Sequence, residues 1–290
     1  MKPERQLKMG IDTGASQPMQ STYQRTVDVY FEAAAQGWND IYQRHDVEGA
    51  IYQERRRRVW ELIEHFGVTP SSRVLEIGCG AGLTTVDLAR RGCLVDAVDT
   101  VHAMLEFTRR HAAEAGVADR VRTLFADVYN LPFEADTFRL VLAIGVIPWL
   151  PSAAPAIREM ARVLAPGGDL IVTADHTWGL SRVVDPLSNR LLSPFKQAAR
   201  KLLARPNGAE ARTHTRPEID CAIGGAGLQK ICGSTVGFGP FTIVRHRLLP
   251  EIVGLKLNHQ MQALADRGVP LFRSGGAQYL VTARKIRRAR

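Results

Sequence analysis

The sequence predicts an α/β fold: a doubly wound, mostly parallel sheet of seven strands carrying helical lid insertions. Three observations predict it. Short apolar runs alternate with amphipathic helical stretches from residue 74 onward, the pattern of strand–helix–strand units. The first run passes without a spacer into Gly78-Cys79-Gly80-Ala81-Gly82, and the next two each close on an acid, Asp99 and Asp127.

The elements follow in order. Residues 74–77 form the first strand, with Glu76 inside it. A helix over 84–91, with Leu83, Val86, Leu88 and Ala89 apolar, leads to a second strand over 93–99. The next helix holds Met104 and Leu105 and leads to a third strand over 121–127. The fourth, 138–145, is apolar almost throughout, as expected of a strand covered by helices on both faces. Ile157, Met160, Ala161 and Leu164 recur at i, i+3, i+4 and i+7 in a further helix, and Pro166-Gly167-Gly168 turns it into a fifth strand over 169–174. Strands over 229–236 and 278–283 complete the sheet.

Glycine at 78, 80 and 82 removes every Cβ from one side of a tight turn, so backbone N–H groups and the helix N-terminus can approach a ligand closely. Two phosphate-binding patterns fail here. A dinucleotide fingerprint needs glycine at position 83, which is Leu83, and a phosphate-cradling loop needs a lysine before Thr84-Thr85. Glu76 argues the same way, because a carboxylate beside the turn repels a diphosphate and favours a cationic ligand with hydrogen-bond donors. Asp99 lies twenty-one residues past Gly78 at a strand's carboxyl end, where an acid can accept two hydrogen bonds from ribose hydroxyls. Asp127 can accept from an adenine amino group. Either acid could instead cap a helix or a turn. Their succession behind the glycine turn favours the ligand.

Glu76 to Gly82, Asp99, Ala126-Asp127-Val128 with Leu131-Pro132-Phe133, and Arg162 to Gly168 resemble the class I S-adenosylmethionine-dependent methyltransferases, in their small-molecule methyltransferase-domain branch. The resemblance covers residues 55–175 well and 213–285 loosely. It implies a Rossmann-like sheet and S-adenosylmethionine as cofactor, a sulfonium and ammonium without phosphate. It also implies roles by position: Gly78 and Gly80, with Cys79 between them, near the methionine part; Asp99 with Thr100 at the ribose; Asp127 and the Val128 backbone at the adenine. The Ile144-Gly145 backbone would meet the amino group and Met104 the adenine or ribose face. Met104 and Cys79 also read as ordinary core residues.

Substrate choice then falls to segments at the sheet's carboxyl edge. Residues 23–66 form a helical cap in which Tyr30 and Trp38, with Tyr42, are placed to close over the cofactor. Residues 177–212 alternate apolar and basic positions at helical spacing, which suits a lid or a membrane-surface helix. Pro186 and Pro194 favour a packed lid of short helices. Residues 237–276 make a third wall, and Thr215 with Glu218 forms a capping box before the helix between the insertions.

Methyl transfer from a sulfonium is an in-line displacement, so alignment and exclusion of water supply most of the advantage. Where the nucleophile must lose a proton, His176 is the candidate base, expected at the pocket rim just after the fifth strand, with His214 a weaker one. No cluster has metal-ligand spacing, and no metal is expected.

At 290 residues with 45% hydrophobic composition, one large core accommodates residues 23–290 as a single domain, with 1–22 disordered. Four cysteines without disulfide or metal spacing indicate a reducing, cytoplasmic setting. The net charge of +9 comes largely from Arg55-Arg56-Arg57-Arg58 and a basic tail from Arg284, read as a solvated helix flank and a frayed end. With no motif for exocyclic amines after the fourth strand, the charge does not argue for nucleic acid. The expected activity is methyl transfer to a small, apolar or aromatic metabolite, with oxygen slightly preferred over nitrogen or carbon as acceptor. A lipid or isoprenoid methyltransferase with peripheral membrane contact, a nucleic-acid methyltransferase and a non-catalytic cofactor-binding protein are the alternatives. The oligomeric state leaves no trace in the sequence.

Overall fold

The computed structural model describes residues 22–184, 210–243 and 246–286. The expectations for the first 21 residues, for 185–209 of the second insertion and for the end of the basic tail lie outside these. The chain opens with α1 (Thr22–Asp40) and α2 (Val47–His65), then alternates through β1 (Arg73–Ile77), α3 (Leu83–Arg90), β2 (Leu94–Asp99), α4 (His102–Glu114), β3 (Val121–Phe125), β4 (Phe138–Ala143), α5 (Ala153–Val163) and β5 (Leu164–Asp175). After α6 (Leu180–Val184) come α7 (Arg216–Gly225), β6 (Leu228–Val236), a short hairpin β7 (Thr242–Ile243) and β8 (His246–Arg247), α8 (Glu251–Asp266), α9 (Pro270–Gly275) and β9 (Gln278–Lys285).

Seven strands form one sheet in the order β3-β2-β1-β4-β5-β9-β6. The five strands β1 to β5 pair in parallel, while β9 runs antiparallel between β5 and β6. The order reverses between β1 and β4, so the crevice at their carboxyl ends is where a doubly wound sheet receives a ligand. Alternate residues of the central strands feed two cores. Leu75, Val141, Leu170 and Val172 pack with Ile157 and Met160 of α5 and Ile219 of α7. Val74, Leu140, Leu142 and Ile171 pack with Val59 and Ile63 of α2 and Val86 of α3. Burial on both faces accounts for the unbroken apolar runs.

Two local readings change. The Pro166-Gly167-Gly168 segment lies inside β5, which begins at Leu164 and absorbs a register shift against Phe138 and Leu140, so it is a strand irregularity rather than the turn before a strand. The arginine run is not wholly a solvated flank: Arg55 is 6% exposed, on the same face of α2 as Ile51 and Val59. Arg56 pairs with Asp87, Arg57 with Glu54 and Glu61, and Arg58 with Glu54 and Asp266. The capping box forms: Glu218 Oε2 accepts from the Thr215 N–H at 2.7 Å. Among the described residues no helix is long and apolar enough to cross a membrane.

Candidate active site

A cavity of 220 Å³ opens at the carboxyl ends of β1, β2, β4 and β5. Its floor is the glycine turn. Gly78 and Gly80 both have positive φ, +63° and +54°, which explains why neither carries a side chain. A Cβ on Gly78 would lie 2.5 Å from Val146 Cγ2, whereas one on Gly80 would meet no protein atom within 4 Å. Gly78 is glycine because the protein is close; Gly80 faces open space in the cavity. The N–H groups of Gly78 and Cys79 both donate to the Val98 carbonyl, at 2.8 and 3.1 Å, and that of Gly80 to Asp99 Oδ2 at 3.0 Å. The loop thus offers a ligand shape more than free donors.

Asp99 does two jobs. Besides holding Gly80, it accepts the Val101 N–H on Oδ1 at 3.0 Å, so the turn-acid role is real. Each oxygen keeps a second lone pair, and the residue lines the cavity. Burial pushes its carboxyl up to about 6, against the pull of the backbone bonds from Gly80, Val101 and Thr100. Asp127 likewise closes a turn by accepting the Tyr129 N–H at 3.0 Å. Glu76 is buried, accepts the Thr85 hydroxyl, and is pushed up to about 7, chiefly by burial. Three carboxyls therefore border one end of the cavity.

Cys79, Thr100, Met104, Val128, Ile144, Gly145 and Trp38 also line the cavity. The Thr100 hydroxyl donates to Asp28 Oδ1 at 2.8 Å, tying α1 to the end of β2. Met104 packs with Val101 and Ala35, beside Phe31 and Trp38, so its core role and its place on the wall coexist. Burial raises the Cys79 thiol well above its usual range, as fits a small buried side chain. The Gly145 N–H is taken by Thr173 Oγ1 at 2.7 Å, so a ligand meeting this backbone meets carbonyl oxygens.

Tyr30 and His176 are corrections. Tyr30 does not line the cavity: it is 37% exposed and stacks on Trp149, with ring centroids 5.6 Å apart, while Phe31 faces inward. His176 is not at the rim. It is 4% exposed and its Nδ1–H donates to the Gly276 carbonyl at 3.1 Å. Strand alternation is the cause: Thr173 and Asp175 share the face toward Gly145, and His176 falls on the face of buried Ala174. Burial lowers its pKa. His214, its bridge partner, is also outside the lining.

Wall residues that the sequence reading did not assign to the site include Arg55, Tyr52, Asp175 and Gln278. Arg55 Nη2 donates to the Tyr42 hydroxyl at 3.2 Å, and its guanidinium carbon lies 4.6 Å from the Tyr52 ring centroid. A Cβ on Gly145 would be 3.1 Å from Arg55 Nη1. Among the described residues no carboxylate lies within ion-pair distance of Arg55. A buried, unpaired guanidinium is costly, and a ligand anion would offset that cost. Its i, i±4 relation to Ile51 and Val59 was the available signal.

The comparison with known proteins decides the family of the central segment. Residues 74–168 match the family described as "Methyltransferase domain". Residues 74–168 form a methyltransferase domain. Sequence relatives include the methyltransferase GfsG of Streptomyces halstedii, 36% identical over 40% of this chain and 42% of that protein. A malonyl-[acyl-carrier protein] O-methyltransferase of Halorhodospira halophila is 36% identical over 51% of this chain and 48% of that protein. The chain spans about half the length of the curated relatives it matches. Geranyl diphosphate C-methyltransferase of Streptomyces coelicolor superposes with a TM-score of 0.61 at 17% identity, over 92% of this chain and 99% of that one. The [4+2]-cyclase SpnF does so with the same TM-score at 18% identity, over 93% and 98%. The methyltransferase domain is thus embedded in a fold shared along nearly the whole chain.

Proposed function

We propose that the chain is an S-adenosylmethionine-dependent methyltransferase acting on a small metabolite. The observation that carries this reading is the charge layout of the cavity. Glu76, Asp99 and Asp127 border one end, Gly80 beside them faces open space, and Arg55 lies against Gly145. An adenosine bearing a sulfonium, an ammonium and a carboxylate matches that order; a dinucleotide diphosphate does not.

S-adenosylmethionine, when bound, supplies an electrophilic methyl group on sulfur. In this reading Asp99 accepts from the ribose, Asp127 accepts from the adenine amino group, and the Val128 N–H donates to the ring. Gly78, Cys79 and Gly80 set the path of the amino-acid part, and the carbonyls of Ile144 and Gly145 receive its ammonium. Arg55 holds its carboxylate. Phe31, Trp38, Met104 and Trp149 exclude water, which raises the benefit of alignment in an in-line displacement.

Relatives named as O-methyltransferases favour oxygen as acceptor, and the aromatic lining favours a partly apolar substrate. A second reading has its own support. The likeness in fold to the [4+2]-cyclase SpnF leaves open a catalyst of another reaction class. Tritium transfer from methyl-labelled cofactor to a pool of small metabolites decides between them: incorporation is expected, and tight cofactor binding without incorporation in any fraction would favour the second.

A further inference from the structure

The end of the cavity away from the three carboxyls holds a group to which no role has yet been given. Asp175 is the last residue of β5, lines the cavity, and its side chain is 17% exposed. Its register partner across the β5–β9 ladder is Gln278, buried and on the same wall. Arg182 of α6 donates to Oδ2 at 2.6 Å, whereas Oδ1 has no hydrogen-bond partner among the described residues. In sheet order β5 stands two strands from β1, so Asp175 lies roughly 10 Å from the glycine turn, on the side opposite Asp99. That is room for one reacting group between them.

We propose that Asp175 is the residue that meets the acceptor: its free Oδ1 receives the proton of an O–H or N–H nucleophile, and Gln278 orients the same group. The proposal rests on the methyltransferase reading. As the nucleophile's lone pair forms the bond to the methyl carbon, the C–S bond breaks and its electron pair stays on sulfur, turning sulfonium into thioether. The acceptor's proton passes to Oδ1 and then to solvent. Arg182 acts through Asp175 and is a positioning residue, fixing Oδ2 so that Oδ1 faces the cavity. The charged and titratable groups around Asp175 are Arg55 and Tyr52 from α2, Arg182 from α6 and His214 from the segment before α7. Burial raises its carboxyl while the two arginines pull it down. It is ionised above its own pKa, so methyl transfer gains an acid limb, falling as pH drops through that value.

The test uses the full chain with tritiated S-adenosylmethionine and an acceptor panel of catechol, hydroxybenzoates, a naphthoquinol, primary amines and a metabolite extract. Calorimetry with S-adenosylhomocysteine runs in parallel. Asp175→Asn is expected to keep product-cofactor affinity within about twofold, to lower kcat by about 100-fold or more, and to lose the acid limb. Asp175→Glu should restore part of kcat. Arg182→Gln, which leaves the carboxylate in place, should lower kcat less and move the acid limb to higher pH, because a neighbouring cation is gone; this variant still answers if Asp175→Asn fails to fold. Unchanged kcat and pH profile in Asp175→Asn and Arg182→Gln, or a labelled methyl found on carbon, would overturn the role of Asp175 while methyl transfer stands. Cofactor binding with no label in any acceptor would overturn the methyltransferase reading itself, and this role with it.

Discussion

The two ends of the cavity are assembled differently. At the glycine-turn end the turn and the three carboxyls come from one continuous stretch, β1 through the segment after β3, and the turn closes on itself through Val98 and Asp99 before any ligand is involved. At the other end Arg55, Trp149, Asp175 and Gln278 come from four separate parts of the chain, Gln278 being brought in by β9 beside β5. The first end is a local motif that recurs across a family. The second depends on tertiary packing, where substrate choice can vary without disturbing the cofactor end.

The sharpest way to test that separation is Gly80→Val. Open space around the Gly80 Cβ position means the protein itself has room, so the side chain would intrude on the ligand, while its φ of +54° adds backbone strain. S-adenosylhomocysteine affinity should fall by about 100-fold or more, equivalent to about 2.7 kcal/mol. A variant that melts cooperatively yet binds normally would remove the glycine turn from the cofactor site.

Arg55→Met comes next, because Arg55 stands where the two ends join. Losing a charge-assisted hydrogen bond costs about 1.5 to 3 kcal/mol, roughly 10- to 100-fold in affinity. S-adenosylhomocysteine should show that loss in calorimetry, and 5′-methylthioadenosine, which lacks the carboxylate, should not. Equal losses for both would assign Arg55 a structural role instead.

This asymmetry explains what the sequence made legible. The strand order of appearance, the glycine turn and the acids at 99 and 127 were readable because each lies a fixed number of residues from its neighbour along a strand–turn–helix unit. The turn-closing role of Asp99 and Asp127 was not, since an acid that closes a turn and one that meets a ligand are the same letter at the same place. Arg55 was hidden in a run of four arginines, where only helical phase, set by Ile51 and Val59, separates the inward side chain from its neighbours. Tyr30 and Phe31 differ in the same way.

The cofactor end also carries a pH signature. Glu76 and Asp99 titrate at about 7 and about 6 in the folded chain, above their ordinary values of 4.5 and 3.8. The folded state therefore holds protons that the unfolded state has released, so the contribution of these two carboxyls to stability is fully present below their ordinary values and declines as pH rises through that window. Thermal melts of the cofactor-free protein should fall by about 5 °C between pH 5 and 7.5, and Glu76→Gln should flatten much of that decline. A flat profile in the parent would mean that the carboxyls are solvated.

His176 beside Asp175 offers the smallest effect and the cleanest contrast, because Asp175 ends β5 and the residue after it points to the opposite face. Removing the imidazole in His176→Ala leaves the buried Gly276 carbonyl without its donor, a cost of about 1 to 3 kcal/mol in stability. The ring's lowered pKa means that it stays neutral where the unfolded chain's imidazole gains a proton. Its burial thus costs stability as pH falls below 6.5, and the variant should lose that part of the acid sensitivity. Turnover at neutral pH should change by less than about threefold, since no atom of His176 borders the cavity. A loss of kcat comparable to that of Asp175→Asn would mean that the strand turns at Asp175 during catalysis, bringing the histidine to the rim after all.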